Sequence, residues 1–267
     1  DRLVLGAFVN TLTVSNVETL TGGASTDLVT FGAAVTGATV DLGAGADRLV
    51  LDAAGATVTV SNIETITGDA GDDTVVLSGT VTGATIDLGA GDDTLTFGAA
   101  LQTVTVSNVE TIVGGASADT LVIGAALTGG SIDLAGGLDK LTLGAFVNTV
   151  TVSNVETIVG GSTNDTVVLG AQVTGSTVDL GAGLDKLTLG DFVNTVTVSN
   201  VETITGGSTN DTLVFTAQVT GSVIDLGAGL DKLTLGDFVN TLTVTGVETI
   251  TGGASSDTLV LAAAAPG

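Results

Sequence analysis

The sequence predicts an all-β protein folded as a parallel β-solenoid. Three observations lead to this prediction: a period of 46 residues without insertion or deletion, alternation of apolar and polar residues within each repeat, and glycine-rich turns between the alternating segments. Short strands that recur at a fixed spacing between glycine turns are typical of coils that stack on one another. No segment has the 3.6-residue periodicity of an amphipathic helix.

The repeat is defined by its rarest residues. An aspartate opens every repeat, all five basic residues occupy its second position, and all six glutamates share one column. The repeats span residues 1–46, 47–92, 93–138, 139–184, 185–230 and 231–267. We expect them to form one repetitive domain, residues 1–267, within a longer chain.

Each repeat divides into a long coil of 26 residues and a short coil of 20 residues. Residues 48–51, 57–60 and 85–88 alternate as strands with one buried face. The additional residues of the long coil, 61–66, are expected to form a bulging corner or a short third strand. Two coils per repeat predict about 11 to 12 coils in all.

The composition excludes most enzyme chemistry. The chain has no His, Cys, Tyr, Met or Trp, and 29 acidic residues against 5 basic ones give a net charge of −24. The usual general base near neutral pH and the nitrogen and sulfur ligands of zinc are therefore missing. We predict no enzyme and no catalytic residue. We also expect no nucleic-acid partner and no direct membrane insertion, because phosphates and anionic lipids repel such a chain and it has no long apolar run.

The glutamate column is predicted to be structural. Six equivalent copies do not provide the unique pair of carboxylates that a glycosidase needs. We expect these side chains to accept hydrogen bonds from backbone amides at the corners. They are Glu18, Glu64, Glu110, Glu156, Glu202 and Glu248.

The turns before the strands carry a motif. Residues 68–76 (GDAGDDTVV) and 88–96 (LGAGDDTLT) resemble the nonapeptide G-G-x-G-x-D-x-U-x of the RTX, or haemolysin-type, calcium-binding repeat family. Glycines allow backbone carbonyl oxygens to point inward, and aspartate supplies a hard anionic oxygen. Together they suit the six to eight oxygen ligands of calcium. The long-coil turns depart from the motif, because Ser25 or its equivalents replace the fourth-position glycine.

The resemblance implies calcium as the cofactor, bound along one edge of the solenoid. The candidate ligands are Asp27, Asp47, Asp73, Asp93, Asp119, Asp139, Asp165, Asp185, Asp211, Asp231, Asp257, Gly43, Gly45, Gly71, Gly89 and Gly91. The alternative is that these aspartates only cap turns, with their carboxylates accepting backbone N–H groups and no metal bound.

The resemblance also implies a function. We expect an extracellular structural repeat domain of a bacterial surface protein, such as a surface-layer, stalk, filament or adhesin segment, that calcium makes rigid. Its partners would be further copies of itself, end to end or in a lattice, or the rest of a longer parent chain.

Two alternatives remain open. One is a calcium-independent β-solenoid that polymerises end to end into an extracellular fibre. The other is an ice-binding face, because six T-x-T motifs would form an outward threonine array if they stacked on one another. These motifs are Thr11-x-Thr13, Thr57-x-Thr59, Thr103-x-Thr105, Thr149-x-Thr151, Thr195-x-Thr197 and Thr241-x-Thr243.

Overall fold

The structure is a computed structural model that describes residues 1–52 and 54–262. It consists of 29 β-strands, and every strand pairing it records is parallel. The described residues contain no helix, and hence none that is long and apolar enough to cross a membrane. The predicted fold class, an all-β parallel β-solenoid, is confirmed.

The chain divides into two compact units, Asp1–Asp139 and Lys140–Gly267. In each unit the odd-numbered strands form one sheet and the even-numbered strands form the other. We call these the odd sheet and the even sheet of that unit. That the six repeats make one domain stays a prediction.

The strands of the first unit are β1 (Arg2–Val4), β2 (Asn10–Val14), β3 (Thr19–Gly23), β4 (Asp27–Phe31), β5 (Val35–Gly43), β6 (Arg48–Val50), β7 (Ala56–Ser61), β8 (Thr65–Asp69), β9 (Thr74–Leu77), β10 (Val81–Gly89), β11 (Thr94–Phe97), β12 (Gln102–Ser107), β13 (Thr111–Val113), β14 (Thr120–Ile123) and β15 (Thr128–Asp133).

The strands of the second unit are β16 (Lys140–Thr142), β17 (Thr149–Ser153), β18 (Thr157–Gly161), β19 (Thr166–Leu169), β20 (Thr174–Gly181), β21 (Lys186–Thr188), β22 (Thr195–Ser199), β23 (Thr203–Gly207), β24 (Thr212–Phe215), β25 (Thr220–Gly227), β26 (Lys232–Thr234), β27 (Thr241–Thr245), β28 (Thr249–Thr251) and β29 (Thr258–Leu261).

Each coil buries the alternate side chains of its two strands. Leu20, Leu49 and Leu95 are 0–1% exposed, and Phe31 is 2% exposed where four of the other five repeats place Leu or Ile. Burial of one such side chain stabilises the fold by roughly 1.5–3 kcal/mol. The intervening residues, mainly threonine, point outward. The period-2 pattern of the sequence therefore sets which side of each strand faces the core.

A repeat makes two and a half turns rather than two. Residues 47–92 form five strands, β6–β10. The segment predicted as a bulging corner or a short third strand, residues 61–66, starts at the last residue of β7 and includes only the first two residues of the third strand, β8, which runs on to Asp69. Twenty-nine strands at two per turn make more coils than the 11 to 12 predicted. The division into one 26-residue and one 20-residue coil missed this extra half turn.

The half turn moves equivalent positions from one sheet to the other. Arg2 lies in the odd sheet, Arg48 in the even sheet and Thr94 in the odd sheet again. In the second unit, Lys140 and Lys232 lie in the even sheet and Lys186 in the odd sheet. The prediction that the aspartates follow a single edge is therefore wrong, since they begin strands of both sheets.

Candidate metal site

The predicted aspartate ligands lie at the corners, immediately before or at the first residue of a strand. There the chain enters a sheet and the carboxylate turns inward. Ten of the eleven are buried and 0–1% exposed: Asp27, Asp47, Asp73, Asp93, Asp119, Asp139, Asp165, Asp185, Asp211 and Asp231. Asp257 is partly exposed.

One carboxylate oxygen of each aspartate caps the preceding coil. The backbone N–H of Asp27 donates to Oδ1 of Asp47 at 2.6 Å, and that of Asp73 donates to Oδ1 of Asp93 at 2.7 Å. The same bond joins Asp165 to Asp185 and Asp211 to Asp231, while Asp139 accepts the N–H of Asp119 at 2.6 Å. A side-chain oxygen thus takes the place of a ladder carbonyl at the corner.

The aspartates stack in pairs from two successive coils. The coil before each pair contributes an asparagine or another residue to the stack. Asn194 donates its backbone N–H and its Nδ2 to Oδ1 of Asp211, at 2.9 and 3.1 Å. Asn10, Asn148 and Asn240 make the same two bonds to the next aspartate in their stacks. Ala56 has only its backbone N–H to give to Asp73, at 2.7 Å.

The glutamates end each stack. Glu64 and Glu110 accept the backbone N–H groups of Asp47 and Asp93 through Oε2, at 2.7 and 2.9 Å. Glu202 and Glu248 do the same in the second unit. The predicted structural role of the glutamate column is therefore confirmed at these positions. We call the sequence of Asn, Asp, Asp and Glu along one edge the capping ladder.

The second carboxylate oxygen of many aspartates has no donor. Oδ2 is buried without a hydrogen-bond partner among the described residues in Asp27, Asp47, Asp73, Asp93, Asp165, Asp185, Asp211 and Asp231. A buried anionic oxygen without a partner is costly, so these sites favour either a proton or a cation.

The pKa values show the same cost. Burial raises the pKa of Asp93 to about 6, and the negative charges of Asp73, Glu110 and Asp72 raise it further. Burial also raises the pKa of Asp185 to about 6, with added repulsion from Glu202. Burial is the first cause of the raised pKa in a further set: Asp47, Asp73, Asp119, Asp211 and Asp231.

The predicted glycine ligands have a steric role in the structure. Gly43 and Gly89 have φ values of +87° and +91°. A Cβ on Gly43 would strike the carbonyl oxygen of Gly23 in the coil below, and one on Gly89 would strike that of Asp69. At Gly91 the nearest atom to such a Cβ is the carbonyl oxygen of Gly71, at 2.9 Å, and at Gly45 it is Oδ1 of Asp47, at 2.6 Å.

One corner is more acidic than the others. Asp69, Asp72 and Asp92 are exposed on two successive coils of the first unit, beside buried Asp73 and Asp93. We call these five residues the acidic corner. Oδ1 of Asp72 accepts the backbone N–H of Asp92 at 3.0 Å, and the charges of Asp69 and Asp72 add to the burial that raises the pKa of Asp73.

Sequence reasoning missed the three exposed members of the acidic corner. The available signal was the run GDAGDD at 68–73, since equivalent turns read GGASTD, GGASAD, GGSTND or GGASSD. The corner also lacks a neutralising amide, because Ala56 stands where other repeats have asparagine or glutamine.

The acidic corner provides oxygen ligands of the kind that calcium prefers. In residues 1–52 and 54–262, no group of three or more carboxylates is arranged so that it could hold a metal by itself. A cation would therefore need backbone carbonyl oxygens in addition. The donor set of hard oxygens and the partnerless Oδ2 atoms of Asp73 and Asp93 fit calcium.

Stacked parallel coils, capped corners and an alternating apolar core define a β-solenoid repeat protein, a structural fold not typical of enzymes. Residues 61–79, which include part of the acidic corner, match the family model of the RTX calcium-binding nonapeptide repeat (four copies). This match and the fold together confirm the resemblance to the RTX repeat β-solenoids. No curated protein matches the chain.

Proposed function

We propose that this chain is an extracellular structural repeat domain of a bacterial surface protein, and that calcium bound at its Gly/Asp turns makes it rigid. It would form a surface-layer, stalk or filament segment. The observation that carries the proposal is the regular set of buried aspartate oxygens without a donor. The match to a calcium-binding repeat and the typical secretion of RTX proteins support it.

The acidic corner is the best candidate for the first bound ion. Asp69, Asp72 and Asp73 lie within the segment that matches the RTX repeat, and Asp92 and Asp93 lie beside them on the next coil. Extracellular calcium is millimolar, which is the range in which extracellular calcium modules bind. A bound cation would stabilise the folded chain by mass action, by about 2.7 kcal/mol at a hundredfold excess over Kd.

The test is a calcium titration of the chain after a chelator has removed bound metal. Far-UV circular dichroism, thermal denaturation and isothermal calorimetry detect the response. We expect calcium, but not magnesium, to raise Tm by roughly 5–10 °C at saturation. The triple variant Asp69→Asn, Asp72→Asn, Asp92→Asn is expected to lose the tightest binding heat. These side chains are exposed, so the variant should keep its fold.

The matched control is the double variant Asp191→Asn, Asp237→Asn, which removes exposed corner acids of the second unit. It is expected to bind calcium as the unmodified chain does. Equal Tm values in chelator and in saturating calcium would contradict the proposal.

A calcium-independent solenoid that polymerises end to end into a fibre is the second candidate. One observation favours it: the capping ladder is formed by protein groups alone, since Oδ1 of each aspartate already has a backbone donor. Light scattering and electron microscopy in chelator test it. Fibres that persist in chelator would support this candidate, and a monomeric, fully folded chain would contradict it.

A further inference from the structure

The six T-x-T motifs do not stack on one another as the sequence suggested. In the first unit, Thr11-x-Thr13 and Thr103-x-Thr105 lie in the even sheet, whereas Thr57-x-Thr59 lies in the odd sheet. The half turn per repeat separates them. The prediction that these six motifs form one threonine array is therefore wrong.

A different threonine array exists in the odd sheet of the first unit. Four successive strands, β7, β9, β11 and β13, carry outward pairs in register with one another. We call these eight residues the threonine ladder: Thr57 and Thr59, Thr74 and Val76, Thr94 and Thr96, Thr111 and Val113. Every rung has a hydroxyl in its first column and a β-branched side chain in its second.

The threonine ladder carries no charge in a chain of net charge −24. The reason is a single residue: Thr94 occupies the repeat position that holds Arg or Lys in every other repeat. The even sheet of the same unit has Arg48 and Asp87 among its outward residues, and the odd sheet of the second unit has Lys186 between Thr166 and Thr203. This uncharged face therefore fits an uncharged partner.

The side chains of the ladder are held in a fixed array. Neighbouring strands lie about 4.8 Å apart, so the first-column hydroxyls repeat at that spacing over four coils. Threonine and valine have few χ1 rotamers on a strand, so little side-chain entropy is lost when a partner is bound. Each threonine of the ladder presents both a methyl group and a hydroxyl, and the hydroxyl can donate hydrogen bonds to water and accept them from it.

We propose that the threonine ladder of residues 57–113 is an ice-binding face. Its partner is the ordered water of an ice surface, which is uncharged and periodic. The ladder itself contains no carboxylate, but Thr74 and Thr94 directly follow Asp73 and Asp93 of the acidic corner, so calcium is kept present in the test. The proposal assigns a further activity to a stretch of four strands that lies between Asp41 on β5 and Asp133 on β15, the outward carboxylates of the neighbouring strands in the same sheet.

The test measures thermal hysteresis and ice-crystal shaping of the full chain with calcium present. The unmodified chain is expected to show both. Thr94→Lys places on the ladder the residue that other repeats carry at this position, so the fold should be kept, and we expect the hysteresis to be lost. Thr65→Lys, in the even sheet beside Arg48, is the matched control and is expected to retain it.

A gain-of-function variant completes the test. Lys186→Thr removes the charge between β19 and β23 of the second unit's odd sheet, where Thr149, Thr166 and Thr203 already stand in the same column. We expect this variant to show more hysteresis than the unmodified chain. Absence of hysteresis in the unmodified chain, or equal loss in Thr94→Lys and Thr65→Lys, would overturn the proposal. Circular dichroism of each variant separates loss of the face from loss of the fold.

Discussion

Individual side chains of the capping ladder differ in how fully their hydrogen bonds are satisfied. Asn194 accepts the backbone N–H of Val173 at 3.0 Å and donates Nδ2 to the carbonyl oxygen of Phe192 at 2.7 Å and to Asp211. It is fully buried. One asparagine thus connects three consecutive coils, and its amide partly neutralises the aspartate beside it.

We predict that Asn194→Ala destabilises the chain by about 1–3 kcal/mol, because it leaves the Val173 N–H and the Asp211 carboxylate without their side-chain partner. Thermal denaturation in chelator measures the effect. Asn210→Ala is the control, since Asn210 makes an exposed corner bond to Leu230 and is expected to cost less than about 1 kcal/mol. Equal losses would contradict a special role for the buried amide.

The opposite substitution at Ala56 is expected to stabilise the chain. Ala56→Asn adds the amide that Asn10 supplies to Asp27 at 2.7 Å in the preceding repeat. We predict a gain of about 1 kcal/mol in chelator, from one hydrogen bond to a charged acceptor. We also predict weaker calcium binding at the acidic corner, because the new donor competes for Asp73. Unchanged calorimetric binding would contradict the second part.

The buried aspartates predict an unusual pH dependence. Burial raises the pKa of Asp93 and Asp185 to about 6, whereas an unfolded aspartate titrates near 3.9. The folded chain therefore holds these protons more tightly than the unfolded chain. The resulting stabilisation is full below about pH 4 and is lost as pH rises through 6.

We expect Tm in chelator to be higher at pH 5 than at pH 8, by roughly 5 °C. The variant Asp185→Asn should flatten part of this dependence, because asparagine does not titrate. A Tm that falls steadily from pH 8 to pH 5 would show that other carboxylates dominate.

At the scale of single elements, the corners depend on close approach between coils. Strand β5 ends at Gly43, and strand β10 ends at Gly89, each above the carbonyl oxygen of the coil below. Five corner asparagines, together with Gly246 in the last repeat, adopt φ values of +53° to +60° at a second type of corner. Asparagine tolerates this conformation through its short polar side chain.

Two separate effects require glycine at these corners: a positive φ and close contact with the coil below. A matched pair of substitutions separates them. Gly37 and Gly43 both have positive φ, at +77° and +87°, but a Cβ on Gly37 would meet nothing within 4 Å. We predict that Gly37→Ala costs about 1–2 kcal/mol from backbone strain alone. Gly43→Ala is expected to cost several kcal/mol more and to disrupt the corner, because the Gly23 carbonyl oxygen cannot move aside. Thermal denaturation compares the two, and equal Tm values would show that strain alone sets the cost.

At the scale of the whole molecule, electrostatic repulsion opposes folding. The 29 acidic residues face only 5 basic ones, which gives a net charge of −24. We predict that Tm in chelator rises when sodium chloride is increased from 10 mM to 0.5 M, since screening shortens the range of this repulsion. Urea midpoints at the two salt concentrations provide an independent check. A salt-independent Tm would indicate that the acids are neutralised by bound protons.

The sequence was sufficient for the fold because every outward or inward position repeats with period 2 along the strand. It also indicated the role of the glutamates, since Glu64 and its equivalents had no unique partner. It could not show the half turn, because residues 65–69 alternate no more strongly than a corner would. The sequence also could not show how the aspartates cap the corners. Asp47 has two carboxylate oxygens, and only the structure shows that Oδ1 accepts a backbone N–H while Oδ2 has no donor.

Because of the half turn, the sheet in which a residue lies depends on whether an odd or an even number of repeats precedes it. Because one repeat advances the chain by two and a half turns, deletion of residues 47–92 would transfer β11 and its Thr94 from the odd to the even sheet. Deletion of two repeats would leave every later residue in its original sheet. Duplications that preserve a continuous face such as the threonine ladder must therefore add repeats in pairs, so the sequence repeat is 46 residues long and the length that restores a surface is twice that.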